Sequence, residues 1–219
     1  MDARSGSAGN ELEIIRSGFA ALSALVVAQI DRALAAWQEG WDVSERMVAD
    51  HRLVEERCDA LQELILDANI RRAGTLFLED RRFLDAVLVC AVAVGRTGNL
   101  AVEIDRHASE ARAEGGGGLA ISPSPEEVAQ LALDAFQMGC AAFVRRDPWL
   151  ALDAVEASAD ATRAAQATQT ALAEGGLPGS GARRARMLLV ARCVERVAAN
   201  ATSISDRARG VLGVPDARD

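Results

Sequence analysis

The feature that most constrains this chain is the spacing of its large apolar residues. Phe19, Leu22, Val26, Ile30, Leu34, Trp37 and Trp41 follow one another at intervals of three and four. That spacing draws a continuous apolar stripe down one side of an α-helix. The marks of strands and hairpins point the other way. There is no Tyr, and alternating Thr-Val runs and Asn-Gly turns are scarce. Ala, Leu, Glu and Arg, all good helix formers, fill the remaining positions.

The pattern predicts six helices. The first runs from Glu11 to Gly40. The second begins at Asp42, with Ser44 as its cap, and reaches about Ala73. The third starts at Asp80, and its Leu84–Val94 stretch is apolar nearly all round, so it should be central. Gly115–Gly118 and the Ser-Pro-Ser-Pro run ending at Pro125 then break the chain. A fourth helix follows to about Arg146, with Glu126 and Glu127 in its first turn. Asp147-Pro148 reads as an N-cap followed by Pro at N1, opening a fifth helix to about Ala173. After a loop over 175–181, a sixth covers Ala182 to about Val211.

Three helices, a linker and three helices suggest an internal repeat. Residues 90–106 laid on 190–206 match at Ala91/Ala191, Val94/Val194, Arg96/Arg196, Ala101/Ala201 and Ile104/Ile204. Both segments are the third helix of their half. The expected fold is therefore all-α, with two tandem three-helix bundles sharing an apolar seam. The expected divisions are a disordered lead (1–9), a first repeat (10–114), a Gly/Ser/Pro linker (115–124), a second repeat (125–213) and a tail (214–219).

Charge narrows the function. The chain carries a formal charge of -8, whereas a nucleic-acid binder needs a basic face to neutralise phosphates. All 24 basic residues are Arg, a composition that fits a GC-rich bacterial genome. No stretch reaches the about 18 apolar residues of a membrane span. The apolar Phe19–Ala28 segment follows Asp2, Glu11 and Glu13 rather than a basic region, which argues against a signal peptide and for a cytoplasmic chain. Cys58, Cys90, Cys140 and Cys193 are far apart and form no CxxC pair, so they read as small buried residues.

Enzymatic signatures are absent. Gly115–Gly118 lacks the Lys-Ser/Thr and strand context of a phosphate loop, and there is no nucleophile elbow and no HExxH. His107 stands four residues after Glu103, where a di-iron bundle needs ExxH from two helices. His51 and His107 therefore read as surface or partly buried polar residues rather than ligands. Two ExxxD pairs, Glu55/Asp59 and Glu156/Asp160, each lie on the second helix of their half. Two carboxylates on one helix face repel unless a cation or Arg lies between them. A hard metal with oxygen ligands is one answer, and solvent is the other.

The third helices carry a family resemblance. Asp80–Asn99 reads DRRFLDAVLVCAVAVGRTGN and Arg192–Asn200 reads RCVERVAAN. These resemble the signature helices of the PhoU family, which carry D-L-R, an apolar stretch and E-R-I-G-D in the first half, then E-R-I-x-D in the second. Asp80 and Arg82 fall on the D-x-R. Gly95 to Asn99 fall on the first E-R-I-G-D, and Glu195 to Ala199 on the second. The resemblance runs in helix order from about Glu11 to Leu212. In the family the Glu and Asp of this motif are metal ligands. Here Gly95, Asn99 and Ala199 replace three of the four, leaving Glu195, while Arg96 and Arg196 persist. The metal candidates are accordingly Glu195 with Glu55, Asp59, Glu156 and Asp160; Asp80, Arg82, Arg96 and Arg196 are motif residues with structural roles. Each motif Arg is expected to tie helices together inside its own bundle, with Asp80, Glu103, Glu55 or Glu156 as partner.

The resemblance implies a non-enzymatic cytoplasmic regulator of phosphate uptake and phosphate-starvation signalling. Such a protein acts as a binding adaptor between the ATPase of the phosphate ABC transporter and a sensor histidine kinase. It would lie at the inner face of the membrane through those partners, with homodimerisation common and any divalent metal structural or regulatory. One alternative is a divergent scaffold with another partner and no metal. A second is a metal-dependent helical enzyme, since carboxylates one turn apart can hold a dinuclear centre.

Overall fold

The computed structural model describes residues 3–72, 74, 76–115, 121–174 and 180–213, and among these every regular element is helical. The helices are α1 (Ala3–Glu39), α2 (Ser44–Arg71), α3 (Leu78–Ala113), α4 (Pro125–Arg145), α5 (Pro148–Ala173) and α6 (Gly181–Leu212).

Helix ends follow local chemistry. Ser124 caps α4 through a capping box: its hydroxyl accepts from the Glu127 N–H at 3.2 Å, and the Glu127 carboxylate accepts from the Ser124 N–H at 2.8 Å. Asp147 caps α5, accepting from the Trp149 and Leu150 N–H groups at 3.0 and 3.1 Å, with Pro148 at the first helical position. Gly40, at φ +81, ends α1. Trp41 therefore falls outside the helix whose stripe it was expected to extend, and is 57% exposed. Ser44 is the first residue of α2 rather than its cap. Val43 holds the cap position, and the Asp42 side chain accepts from the Ser44 N–H instead. α1 extends back to Ala3, so residues 3–9, expected as a disordered lead, are helical. Once a helix is nucleated, adding a residue costs little. Most of the Gly-rich linker (116–120) and the tail (214–219) lie outside the described residues.

The first three helices pack on one another, as do the last three. The two bundles lie side by side and are joined by α3 against α6 and α1 against α4, while α2 and α5 cover the two flanks. α3 and α6 run antiparallel. Thr97 meets Asn200, Glu103 meets Cys193, and Glu110 meets Arg186. α1 and α4 meet through Phe19 and Phe143, whose ring centroids are 5.2 Å apart, and Phe83 of α3 stacks on Phe143 at 5.7 Å. One apolar core therefore runs through both halves, from Phe19, Leu22 and Leu84 to Phe136, Val194 and Ile204. α1 and α3 are each long and apolar enough to cross a membrane, contrary to the expectation that no stretch is, because a few charged residues interrupt each apolar window without lowering its mean hydropathy far. Here 50% and 56% of their apolar windows are buried against other helices.

Two glycines let helices approach closely. A Cβ at Gly139 would lie 2.6 Å from the Ser205 hydroxyl and 3.3 Å from the Ala201 carbonyl, so α4 and α6 touch there. A Cβ at Gly95 would lie 3.1 Å from Cys58 Sγ, so α2 presses on α3 at a motif position.

Candidate binding face on α3 and α6

On α3, Arg96, Asn99 and Arg106 are exposed and Glu103 half-buried; on α6, Arg192, Arg196 and Ala199 are exposed. Spacings of three and four place each set on one stripe of its helix. The two stripes are neighbours across the α3/α6 contact. Asn200 Nδ2 donates to Thr97 Oγ1 at 2.9 Å, the Cys193 thiol donates to Glu103 Oε2 at 3.3 Å, and Arg196 Nη1 lies 3.9 Å from the same oxygen. The repeated motif thus meets itself, head to tail, at the middle of the molecule. The Arg196 contact joins the two halves, whereas an internal tie within one bundle was expected. At 64% side-chain exposure and 3.9 Å it is a weak, solvated pair. Arg96 has no ion-pair or hydrogen-bond partner among the described residues.

The motif's surviving carboxylate is already engaged. Glu195 accepts from Gln166 Nε2 at 2.9 Å and from Gln169 Nε2 at 2.8 Å, both on α5. Those two amide donors hold its pKa below the usual carboxylate range, so it is ionised, with an amide on each oxygen. In the other half the corresponding position is Gly95, and the space a side chain would need is occupied by Cys58, whose thiol donates to the Ala91 carbonyl at 3.4 Å. Asn99 and Ala199 complete the motif without a carboxylate. This donor set does not fit a hard divalent cation, which takes six to eight oxygens with carboxylates among them.

The second-helix pairs do not supply what is missing. Glu55, 60% exposed, lies 3.2 Å from His51 Nε2, one turn back on its own helix. Asp59 is exposed on α2. Glu156 and Asp160 sit two residues either side of the buried Ser158, hence on the face of α5 turned away from α6. Asp160 pairs with Arg163 in solvent. Among the described residues no group of three or more His, Cys, Asp or Glu is placed to hold a metal ion.

At the start of α3, Asp80 is half-buried beside a cavity of about 230 Å³ that Arg16, Glu79, Phe83 and Arg146 also line, and Arg82 is exposed. Sixteen residues of helix, about 24 Å, separate Asp80 from Arg96, so the two ends of the motif do not form one site. His107 is buried at the other end of the face. Its Nδ1 lies 3.5 Å from Glu110 Oε2, which Arg186 of α6 approaches to 2.9 Å.

The four cysteines are free and buried. Burial pushes the Cys90, Cys140 and Cys193 thiols up to about 12, and it pushes Cys58 upward too, against the opposing effect of Gln62, which donates to its sulfur. Cys90 and Cys140 sit on α3 and α4, which do not come within 8 Å between Cα atoms among the described residues. That separation is too wide for a disulfide.

Residue reading missed Gln166, Gln169, Thr97, Asn200 and the Cys193–Glu103 contact. The available signal was polar residues interrupting apolar helix faces beside the repeated motif.

Neither a family model nor a curated protein sequence matches the chain. Solved structures do match it. The crystal structure of PhoU from Pseudomonas aeruginosa is 20% identical with a TM-score of 0.68, covering 94% of this chain and 99% of that one. The phosphate transport system regulatory protein PhoU from Streptococcus pneumoniae is 15% identical with a TM-score of 0.79, covering 97% and 99%. The chain has a PhoU-like fold over nearly its whole length, in a divergent sequence.

Proposed function

We propose that this chain is a regulator of phosphate transport that works by binding, as an adaptor between the ATPase of a phosphate transporter and a sensor histidine kinase. The observation that carries the reading is the likeness of fold, over nearly the whole of both chains, to two PhoU structures, one of them described as a phosphate transport system regulatory protein. The α3/α6 face supports a binding role because its charged groups lie on rigid, well-packed helices and are open to solvent. On this reading the protein is cytoplasmic, reaches the membrane through its partners, forms a homodimer and performs no catalysis.

The test is deletion of the gene, followed by phosphate uptake and phosphatase expression in rich phosphate. Both are expected to rise severalfold and to return to normal on complementation. Unchanged values would remove the phosphate role.

A second reading, a PhoU-fold scaffold with another partner, is favoured by Gly95, Asn99 and Ala199 at the family's ligand positions. Pull-down separates the two. Capture of the transporter ATPase supports the first reading, and its absence in a cell that contains both proteins supports the second.

A further inference from the structure

The motif face holds more positive charge than its few carboxylates balance. Arg96 and Arg106 of α3 and Arg192 and Arg196 of α6 are all exposed on it. The carboxylates among them are Glu103 and Glu195. Glu195 is clasped by Gln166 and Gln169, and Glu103 by the Cys193 thiol. Among the described residues Arg96 has no partner, and the one ion pair Arg196 makes is the 3.9 Å contact with Glu103. Between the arginines lie Asn99 and Ala199, small uncharged residues that leave a partner room to approach. A basic strip on a chain of net charge -8 is a local reversal of sign.

We propose that the α3/α6 face is an arginine-lined docking surface for an acidic helical segment of a partner protein. The inference rests on the reading of the chain as a binding adaptor and names the chemistry of one partner. Charge complementarity selects the occupant. Arg192 and Arg196 stand one helical turn apart, about 6 Å along α6, which is the spacing of two glutamates at i and i+4 on a facing helix. Arg96 and Arg106 are ten residues apart, about 15 Å along α3. Three turns of helix cover that length and a single phosphate does not. A long, dense polyanion such as nucleic acid fits less well, because it would meet the net negative charge of the chain and the exposed Glu55 and Asp59 on neighbouring α2. Guanidinium groups suit the role, since each offers a planar fork to a carboxylate.

The probe is a fluorescein-labelled amphipathic peptide of about 20 residues with glutamates at i and i+4 on one face, titrated with the full chain and followed by anisotropy. A lysine-faced peptide of the same design serves as control. The glutamate peptide is expected to bind, the lysine peptide not, and binding should weaken as salt rises. The Arg96→Gln/Arg192→Gln/Arg196→Gln variant is expected to bind at least about tenfold more weakly, a loss of about 1.4 kcal/mol. Arg46→Gln/Arg57→Gln/Arg163→Gln, which removes as many exposed charges elsewhere, should bind as the parent does. Unchanged thermal unfolding shows that the variants are folded. Equal weakening by both variants, or no binding at low salt, would overturn the proposal. So would displacement of the peptide by inorganic phosphate at equal concentration, which would mark a phosphate site instead. Peptide binding together with an unchanged deletion phenotype would keep this surface and remove the phosphate role.

Discussion

Phe143→Ala is expected to destabilise the protein by about 3–5 kcal/mol. Phe143 is 3% exposed on α4, and its ring meets Phe19 of α1 at 5.2 Å and Phe83 of α3 at 5.7 Å. Truncation removes the burial of the ring and both aromatic contacts, each worth about 0.5–1.5 kcal/mol beyond area. It leaves a cavity at the point where the two halves join. For a domain of this size the loss lowers Tm by roughly 10 °C. Thermal and urea unfolding followed by circular dichroism measure it. Because one core runs through both halves, a single transition should shift as a whole. Separation into two transitions would show that each three-helix bundle stands alone and that the Phe19–Phe143–Phe83 cluster is a minor joint.

Gly139→Ala should cost about 1–3 kcal/mol, against the gain of about 1 kcal/mol that alanine ordinarily brings to a helix. The new methyl group would sit 2.6 Å from Ser205 Oγ, and Ser205 cannot turn aside freely. It is fully buried, and its hydroxyl donates to the Ala201 carbonyl at 2.8 Å. The Ala201 carbonyl itself stands 3.3 Å from the new methyl, so α4 and α6 must separate. Ser205→Gly removes the closest obstruction. A double-mutant cycle should therefore show Gly139→Ala costing much less in the Ser205→Gly background. Equal costs in the two backgrounds would place the strain in the backbone contact alone.

These expectations rest on features that differ in how far the sequence announces them. The helices are legible because their information is local. The stripe from Phe19 to Leu34 is buried as its spacing implies, and Asp147-Pro148 caps α5 as the dipeptide suggests. Boundaries set by φ rather than by apolar pattern are less legible. Gly40 turns the chain before Trp41, and Val43 caps α2 with no side-chain bond. The candidate binding face is half legible. Duplication identifies Arg96 and Arg196, but only the antiparallel packing of α3 on α6 shows that the two motifs share one surface and that Glu103 of one half reaches Arg196 of the other. The lack of carboxylates at three of the four motif positions can be read from Gly95, Asn99 and Ala199. That Cys58 has closed over Gly95, and that Gln166 and Gln169 hold Glu195, cannot, because those contacts come from other helices, 26 residues away or more.

The interior thiols give the protein a built-in reporter of its own breathing. Cys58, Cys90, Cys140 and Cys193 lie on four different helices, are unpaired, and are held protonated by burial. The thiolate is the species that attacks an alkylating reagent, so each site reacts when local opening exposes it to water. The rates at the four positions, read by mass spectrometry, would rank α2, α3, α4 and α6 by the free energy of local opening, with no label or mutation added to the chain.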